Sequence, residues 1–332
     1  MNAPRLAIVG ATGAVGLEFL AVLAARGTPL RELRLYASPR SAGMRLPFRG
    51  EQLLVSPLTG DAFVGIDVAL FSAGGATARE WAPRAVAAGA IVIDNSSAFR
   101  MAPDVPLIVP EVNAGALTAH RGLIANPNCS TILLALALWP LHQAAGLCRV
   151  IVSTYQAASG AGQQAMLQLR EELAAALRGE PVPPPRALPQ TLAFNVIPQV
   201  DVFQADGYTR EEDKLLFELR KILSLPTLAV DATCVRVPVE RCHSEAVAIE
   251  LARPLAVEQA RAILAAAPGL ELIDEPANGR YPMPLPQAGR DAVAVGRLRQ
   301  GRAFANGLTF WLAGDQLRKG AALNAVQILE TM

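Results

Sequence analysis

Histidine is scarce in this 332-residue chain: only His120, His142 and His243 occur, none at finger or zincin spacing from a second His or Cys. A metal centre is not expected. Cys242 adjoins His243, but neighbouring residues of a strand point to opposite faces. Cysteine is sparse as well. Its four residues, Cys129, Cys148, Cys234 and Cys242, are too few and too irregular for a disulfide framework, so reduced thiols are expected. An excess of one charge is missing: 30 Lys and Arg oppose 29 Asp and Glu, which argues against a nucleic-acid surface or an acidic tail. Long apolar runs are absent too. Residues 131–138 stop at Pro140, far short of the roughly 20 residues of a bilayer span. The amino terminus, MNAPRLAIVGATG, has no basic stretch followed by an apolar core and a cleavage site, so a cytoplasmic protein without a membrane or nucleic-acid partner is expected.

What is present is apolar, with 52% hydrophobic residues, and long enough for two domains of about 150 residues each. Over the first 130 residues short apolar runs (6–9, 33–37, 68–72, 91–94, 123–125) alternate with helical stretches near 13–25 and 76–88. That alternation predicts α/β architecture, a parallel sheet with helices on both faces. Strand candidates at 150–155, 193–198 and 232–239, separated by helices and a Pro-rich stretch at 181–189, predict a second, α+β domain. Residues 315–330 read as a helix with Leu317, Ala321, Ala325 and Ile328 on one face, packing back on the first domain.

The first apolar run enters Gly10-Ala11-Thr12-Gly13-Ala14-Val15-Gly16 and continues as a helix. Glycines here permit a tight strand-to-helix turn and a close backbone approach, so that amides at the helix start can hold a pyrophosphate, as in a Rossmann-type dinucleotide-binding domain. After the second run, where an NAD enzyme usually carries an acid, stand Ser38, Arg40 and Ser41. Their hydroxyls and guanidinium suit a 2′-phosphate, which favours NADP. Ser72 and Gly74 supply a second glycine-rich edge.

Asn126-Pro127-Asn128-Cys129-Ser130-Thr131 closes the first pattern and opens a helix over 131–138. A thiol at a helix amino terminus meets unsatisfied amides and the positive end of the dipole, which favour the nucleophilic thiolate. Cys129 is the candidate nucleophile, while Cys148 and Cys234 read as structural. Such a catalyst needs a proton donor and acceptor, and His243 is the candidate; Pro238 bends the strand so that Arg236 and His243 can share a pocket.

GATGAVG, SPRSAG, FSAGG, DNSSAFR, VPEVN, NPNCST, YQAASGAG, FNVIPQ, EEDK, RVPV, HSE and DQLRKGAALNAVQ occur in this order along nearly the whole chain. Through them the chain resembles the aspartate-semialdehyde dehydrogenase family. The resemblance implies an NADP-binding domain over 1–128, a catalytic and dimerisation domain over 129–313, and a carboxy-terminal helix over 314–332 returning to the first domain, in a homodimer or homotetramer. It implies NADP-dependent, phosphate-dependent interconversion of aspartyl-4-phosphate and aspartate semialdehyde in lysine, threonine and methionine biosynthesis. By position, Cys129 matches the nucleophile, Gln156 the residue orienting the intermediate, and His243 the general acid/base. Arg236 matches the ligand of the substrate α-carboxylate and Glu211 that of its amino group, while Lys214, Arg100 and Asn128 match phosphate ligands. Gly10, Thr12, Gly13, Ala14, Val15, Ser38, Arg40, Ser41, Ser72 and Gly74 match cofactor contacts. Two positions depart from the family: Gln316, near the nicotinamide, where Asn is common, and Cys242, where Gly is common. Rival readings are N-acetyl-glutamyl-phosphate reductase and glyceraldehyde-3-phosphate dehydrogenase, whose cysteine motifs differ, and a non-catalytic paralogue of the USG-1 group, which need not keep Cys129, Gln156, Glu211, Arg236 and His243 together.

Overall fold

The computed structural model of the protein describes residues 3–332. It divides into two compact units, Met1–Asn128 with Ala321–Met332, and Cys129–Gly320.

The first unit is built on a seven-stranded sheet of β1 (Arg5–Val9), β2 (Glu32–Ala37), β3 (Arg45–Phe48), β4 (Glu51–Pro57), β5 (Val68–Phe71), β6 (Ile91–Asp94) and β7 (Leu123–Ala125), in the order β3-β4-β2-β1-β5-β6-β7. All its pairings are parallel except that of β3 with β4. Helices α1 (Ala14–Arg26), α2 (Gly75–Ala87) and the short α3 (Pro110–Asn113) complete it. Its central strands are unbroken apolar runs because both faces are covered. Leu6 and Ile8 face a core shared with Leu20 and Leu23 of α1, whereas Ala7 and Val9 face one shared with Ala78 and Ala82 of α2. The carboxy-terminal helix Leu323–Thr331 adds Leu323, Val326 and Ile328 to the first of these cores. Polar contacts fix its register: Arg26 pairs with Glu330 at 2.6 Å, and Asn324 Nδ2 donates to Ile108 O at 2.9 Å and to Asn126 Oδ1 at 2.7 Å.

The second unit opens with α4 (Cys129–Ala145) and β8 (Leu147–Gln156), followed by α5 (Gln163–Leu177), α6 (Arg210–Ile222), β9 (Ala229–Arg236), β10 (His243–Leu251), α7 (Val257–Ala266), β11 (Leu270–Leu272), α8 (Pro284–Gln287), β12 (Val293–Gln300) and β13 (Gly307–Gly314). The mixed sheet has the order β11-β12-β13-β10-β8-β9. Helix α4 is apolar all round, with residues 132–138 at most 2% exposed, as befits a helix packed within a core. Helix α6 begins with a capping box, in which Thr209 N–H donates to Glu212 Oε2 at 2.6 Å and Glu212 N–H to Thr209 Oγ1 at 3.4 Å.

Some expected elements differ. The helix at 131–138 does not end at Pro140 but runs to Ala145, because burial of its apolar residues, about 1.5–3 kcal/mol for each large one, outweighs the roughly 3 kcal/mol of an internal proline. Residues 193–198 form no strand. Phe194 adopts φ +56°, which breaks the extended path and leaves a single bridge from Ile197 to Arg236. The return to the first unit begins at Ala321 rather than at 314, since Gly314 is the last residue of β13 and the turn after it stays with the second unit. Cys148 is exposed near the start of β8, where the pairing with β10 shifts register from Glu250–Arg149 to Leu251–Leu147 and passes over it. Among the described residues no helix is long and apolar enough to cross a membrane.

Candidate active site

The glycine loop of the first unit joins β1 to α1. Gly10 and Ala11 both donate to Tyr36 O, at 2.8 and 3.0 Å, which pulls the loop over β2. Gly10 has φ +90°, and a Cβ there would collide with Ser72 O; a Cβ on Gly16 would collide with Gly10 O. Those two glycines are structural necessities. Gly13 instead caps α1 at an ordinary φ of −76°, with room for a side chain, so the open helix start rather than packing accounts for it. Gly10, Thr12, Gly13, Ser38 and Ser72 line one cavity of about 410 Å³. Thr12 Oγ1 donates to Ser41 Oγ at 3.2 Å, tying the glycine loop to the turn after β2, where Ser38 and Arg40 are exposed. Ala14 and Val15 form the first turn of α1, and Gly74 caps α2 at φ +83°. Gly10, Thr12, Gly13, Ser38 and Ser72 are thus brought together within this unit.

Also in this unit, Arg100 is buried, with Nε on Asn126 O at 2.9 Å and Nη2 on Asn95 O at 2.8 Å. Asn128 is buried and directly precedes Cys129.

In the second unit Cys129 is the first residue of α4 and is partly exposed. Three further candidate residues stand at strand ends, while Glu211 and Lys214 lie on α6. Gln156 and Arg236 are cross-strand partners at the ends of β8 and β9, and His243 opens β10 one step beyond the Ser244–Tyr155 pair. Alternation along the strands therefore puts all three side chains in one row. Gln156 Nε2 donates to Ser130 Oγ at 2.6 Å and to Glu211 Oε1 at 2.9 Å, leaving Gln156 Oε1 unbonded. Glu211 Oε2 accepts from Lys214 Nζ at 2.9 Å, and Lys214 also meets Asp201 at 2.7 Å.

Arg236 Nη1 donates to Ala157 O at 2.7 Å, and Ala157 N–H donates to His243 Nδ1 at 3.0 Å. One residue thus orients both side chains. Because Nδ1 accepts, the proton of a neutral His243 sits on Nε2, which has no partner. Complete burial, then the charge of Arg236, lower His243 to about 3 against a weaker opposing pull from Glu211. Burial also lowers the Arg236 guanidinium, while Glu211, Cys129 and Cys234 pull it back up. Lys214 loses by burial but is raised overall by Glu211 and Asp201. A thiol, a proton-bearing imidazole, a buried guanidinium and a carboxylate–ammonium pair are the parts needed to attack a carbonyl in a small zwitterionic substrate.

Two family models match the chain: the semialdehyde dehydrogenase NAD binding domain over residues 5–120 and the semialdehyde dehydrogenase dimerisation domain over residues 138–319. The aspartate-semialdehyde dehydrogenase of Synechocystis sp. is 51% identical over 328 residues, covering 99% of this chain and 97% of that protein. That of Bacillus subtilis is 48% identical over 336 residues, again covering 99% and 97%. The chain belongs to the aspartate-semialdehyde dehydrogenase family. It is an oxidoreductase that uses a nicotinamide dinucleotide and carries a domain for oligomerisation. Among solved structures, aspartate semialdehyde dehydrogenase II complexed with ASA from Vibrio cholerae matches with a TM-score of 0.97 at 43% identity, covering 100% of this chain and 98% of that one. The enzyme from Candida albicans with NADP, at 24% identity and a TM-score of 0.77 over 99% of this chain and 98% of its own, shares the fold.

Several residues of this enzyme's site were not singled out from the sequence. Ser130 bonds Gln156, and Asp201 bonds Lys214. Gly160 lies where a Cβ would stand 2.9 Å from both Arg236 Nη1 and His243 Nε2, and Gly320 where one would stand 3.1 Å from Cys129 Cβ. The glycines of YQAASGAG and DQLRKGAALNAVQ were the available signal. Gln316 is 2% exposed and its amide is engaged at both ends: Oε1 accepts from Cys242 N–H at 2.8 Å and Nε2 donates to Ser159 Oγ.

Proposed function

We propose that the enzyme reduces L-aspartyl-4-phosphate to L-aspartate-4-semialdehyde, reversibly and with phosphate as co-product, through a thioester on Cys129, in lysine, threonine and methionine biosynthesis. The observation that carries this reading is the disposition of Cys129 at the start of α4, in the same unit as the Gln156, Arg236 and His243 row. Cys129 Sγ attacks the acyl carbon; the carbon–sulfur bond forms as the carbon–oxygen bond to phosphate breaks and phosphate leaves with that electron pair. When bound, NADPH supplies the hydride that reduces the thioester carbon. As the carbon–sulfur bond then breaks, the pair returns to Cys129 Sγ and restores the thiolate that made the attack, while His243, the proposed acid/base, steadies it with a hydrogen bond from Nε2–H. Arg236 holds the α-carboxylate, Glu211 the ammonium and Lys214 the phosphate, a set whose charges complement the substrate. Gln156 Oε1 orients the intermediate as an acceptor.

The preference for NADP over NAD rests on Arg40, Ser38 and Ser41, with no acid in that turn. A homodimer, or a tetramer built from it, would cover the outward face of the second sheet, where Ile151 is 45% exposed and Tyr155 meets Trp311 at 5.1 Å. A cytoplasmic setting belongs to the same reading, because the nucleophile is a cysteine outside any disulfide. The test is phosphate-dependent NADP reduction with aspartate semialdehyde, beside N-acetyl-glutamate semialdehyde as control. Cys129→Ala should abolish turnover while leaving NADP affinity unchanged, and turnover in that variant would refute the thioester.

A further inference from the structure

We infer that Gln316 is a positioning residue for His243, acting through the Cys242 peptide; the inference rests on the role proposed above for His243. The ladder between β10 and β13 ends at the pair His243–Gly314. One residue earlier the backbone N–H of Cys242 finds no strand partner and donates instead to Gln316 Oε1, at 2.8 Å, so a side-chain amide replaces the next rung. The preceding residues reinforce this alignment, with Arg241 Nε 2.6 Å from the fully buried Asp315.

Cys242 needs holding. Its φ of +76° is left-handed, which costs a residue bearing a Cβ on the order of 1–2 kcal/mol, and it is wholly buried. Set free, the residue would relax toward negative φ and rotate the peptide that leads into His243. The other end of the Gln316 amide donates to Ser159 Oγ. Ser159 belongs to the turn Ala158–Ala161, which follows Ala157, the residue bonded to His243 Nδ1, and contains Gly160, whose Cα faces the imidazole. Gln316 therefore ties the strand entrance that carries His243 to the turn that fixes its ring. Each end of the amide is bonded within this unit, and the side chain is 2% exposed.

Four proteins test this: wild type, Gln316→Met, which keeps the length but loses the amide oxygen that accepts from Cys242 N–H, Gln316→Met/Cys242→Gly, in which glycine takes the left-handed φ without strain, and His243→Gln, which identifies the imidazole signal. Gln316→Met should lower kcat about 10- to 100-fold, the scale of a displacement below or near 1 Å, with the KM for NADP unchanged. The added Cys242→Gly should recover most of that loss. The imidazole NMR signal of His243, assigned by its absence in His243→Gln, should shift in Gln316→Met and move back in the double variant. A kcat within twofold of wild type with an unmoved signal would overturn the inference; so would a raised cofactor KM at constant kcat, or a loss that Cys242→Gly leaves in place. The NMR arm does not need turnover, so a wild type inactive toward aspartate semialdehyde whose His243 signal still responded would count against the proposed reaction alone.

Discussion

Gly160→Ala adds one methyl group where the proposed acid/base and the proposed carboxylate ligand meet. Gly160 has no positive φ, so its backbone accepts alanine and the whole effect is steric. The new Cβ would lie 2.9 Å from Arg236 Nη1 and from His243 Cε1 and Nε2, against an ordinary contact of 3.4 Å, so a displacement of about 0.5 Å (3.4 − 2.9) is required. The guanidinium is the far end of a flexible side chain but donates to Ala157 O, and the imidazole is fixed by Ala157 N–H and completely buried. Neither retreats freely. If 1 Å costs on the order of 100-fold, half of that costs about tenfold in kcat, with overpacking lowering stability by about 1–3 kcal/mol. Gly162→Ala is the control: its φ of +89° makes alanine costly for stability, but no atom lies within 4 Å of the added carbon. Steady-state turnover, thermal melting and calorimetric NADP binding on both variants separate the cases. Gly160→Ala at wild-type kcat while still folded, or a kcat loss no greater than that of Gly162→Ala, would refute the placement of His243 and Arg236 against this glycine.

Arg40→Ala should shrink the ratio of NADP to NAD affinity about tenfold or more, since one charge-assisted bond is worth about 1.5–3 kcal/mol; an unchanged ratio in calorimetric titration would locate 2′-phosphate recognition elsewhere. His243, held near 3 in the fold against about 6.5 unfolded, takes up its proton in the unfolded chain first as pH falls, so stability present above 6.5 is lost between there and 3. From pH 7 to 5 wild type should lose about 2 kcal/mol more than His243→Gln in denaturant titrations, and equal losses would contradict the buried neutral imidazole. Glu245 has the opposite sign: both oxygens are unbonded, complete burial raises its carboxyl well above the usual range, and the unfolded chain ionises first as pH rises. Glu245→Met should therefore gain stability relative to wild type between pH 5 and 8, by about 1–3 kcal/mol at the upper end, and a variant that melts lower at pH 8 would show that the carboxyl is bonded after all.

What the sequence made legible was whatever a local pattern decides. Apolar runs at 91–94 and 123–125 coincide with β6 and β7, and the strand, glycine loop and helix at the start of the chain fall where expected, because a two-faced parallel sheet makes each strand a continuous apolar run. The hairpin of β3 and β4 was missed: its strands are short and half polar, and its turn depends on Arg49 and Gly50 at positive φ, of which only the glycine is a visible signal. In the candidate site, Cys129 could be read from its place before a helix, but the company of Gln156, Arg236 and His243 follows from the β9-β8-β10 order, which no local window contains. Gln316 illustrates the limit most sharply. As a side chain it is a glutamine after an aspartate, with nothing to separate a ligand contact from a structural one. Its use is decided by a backbone amide 74 positions away, left without a strand partner because the ladder stops at His243 and because Cys242 turns left-handed there. A residue whose task is to satisfy another segment's backbone carries no pattern of its own, so such positions come into view only when every buried donor is traced to its acceptor.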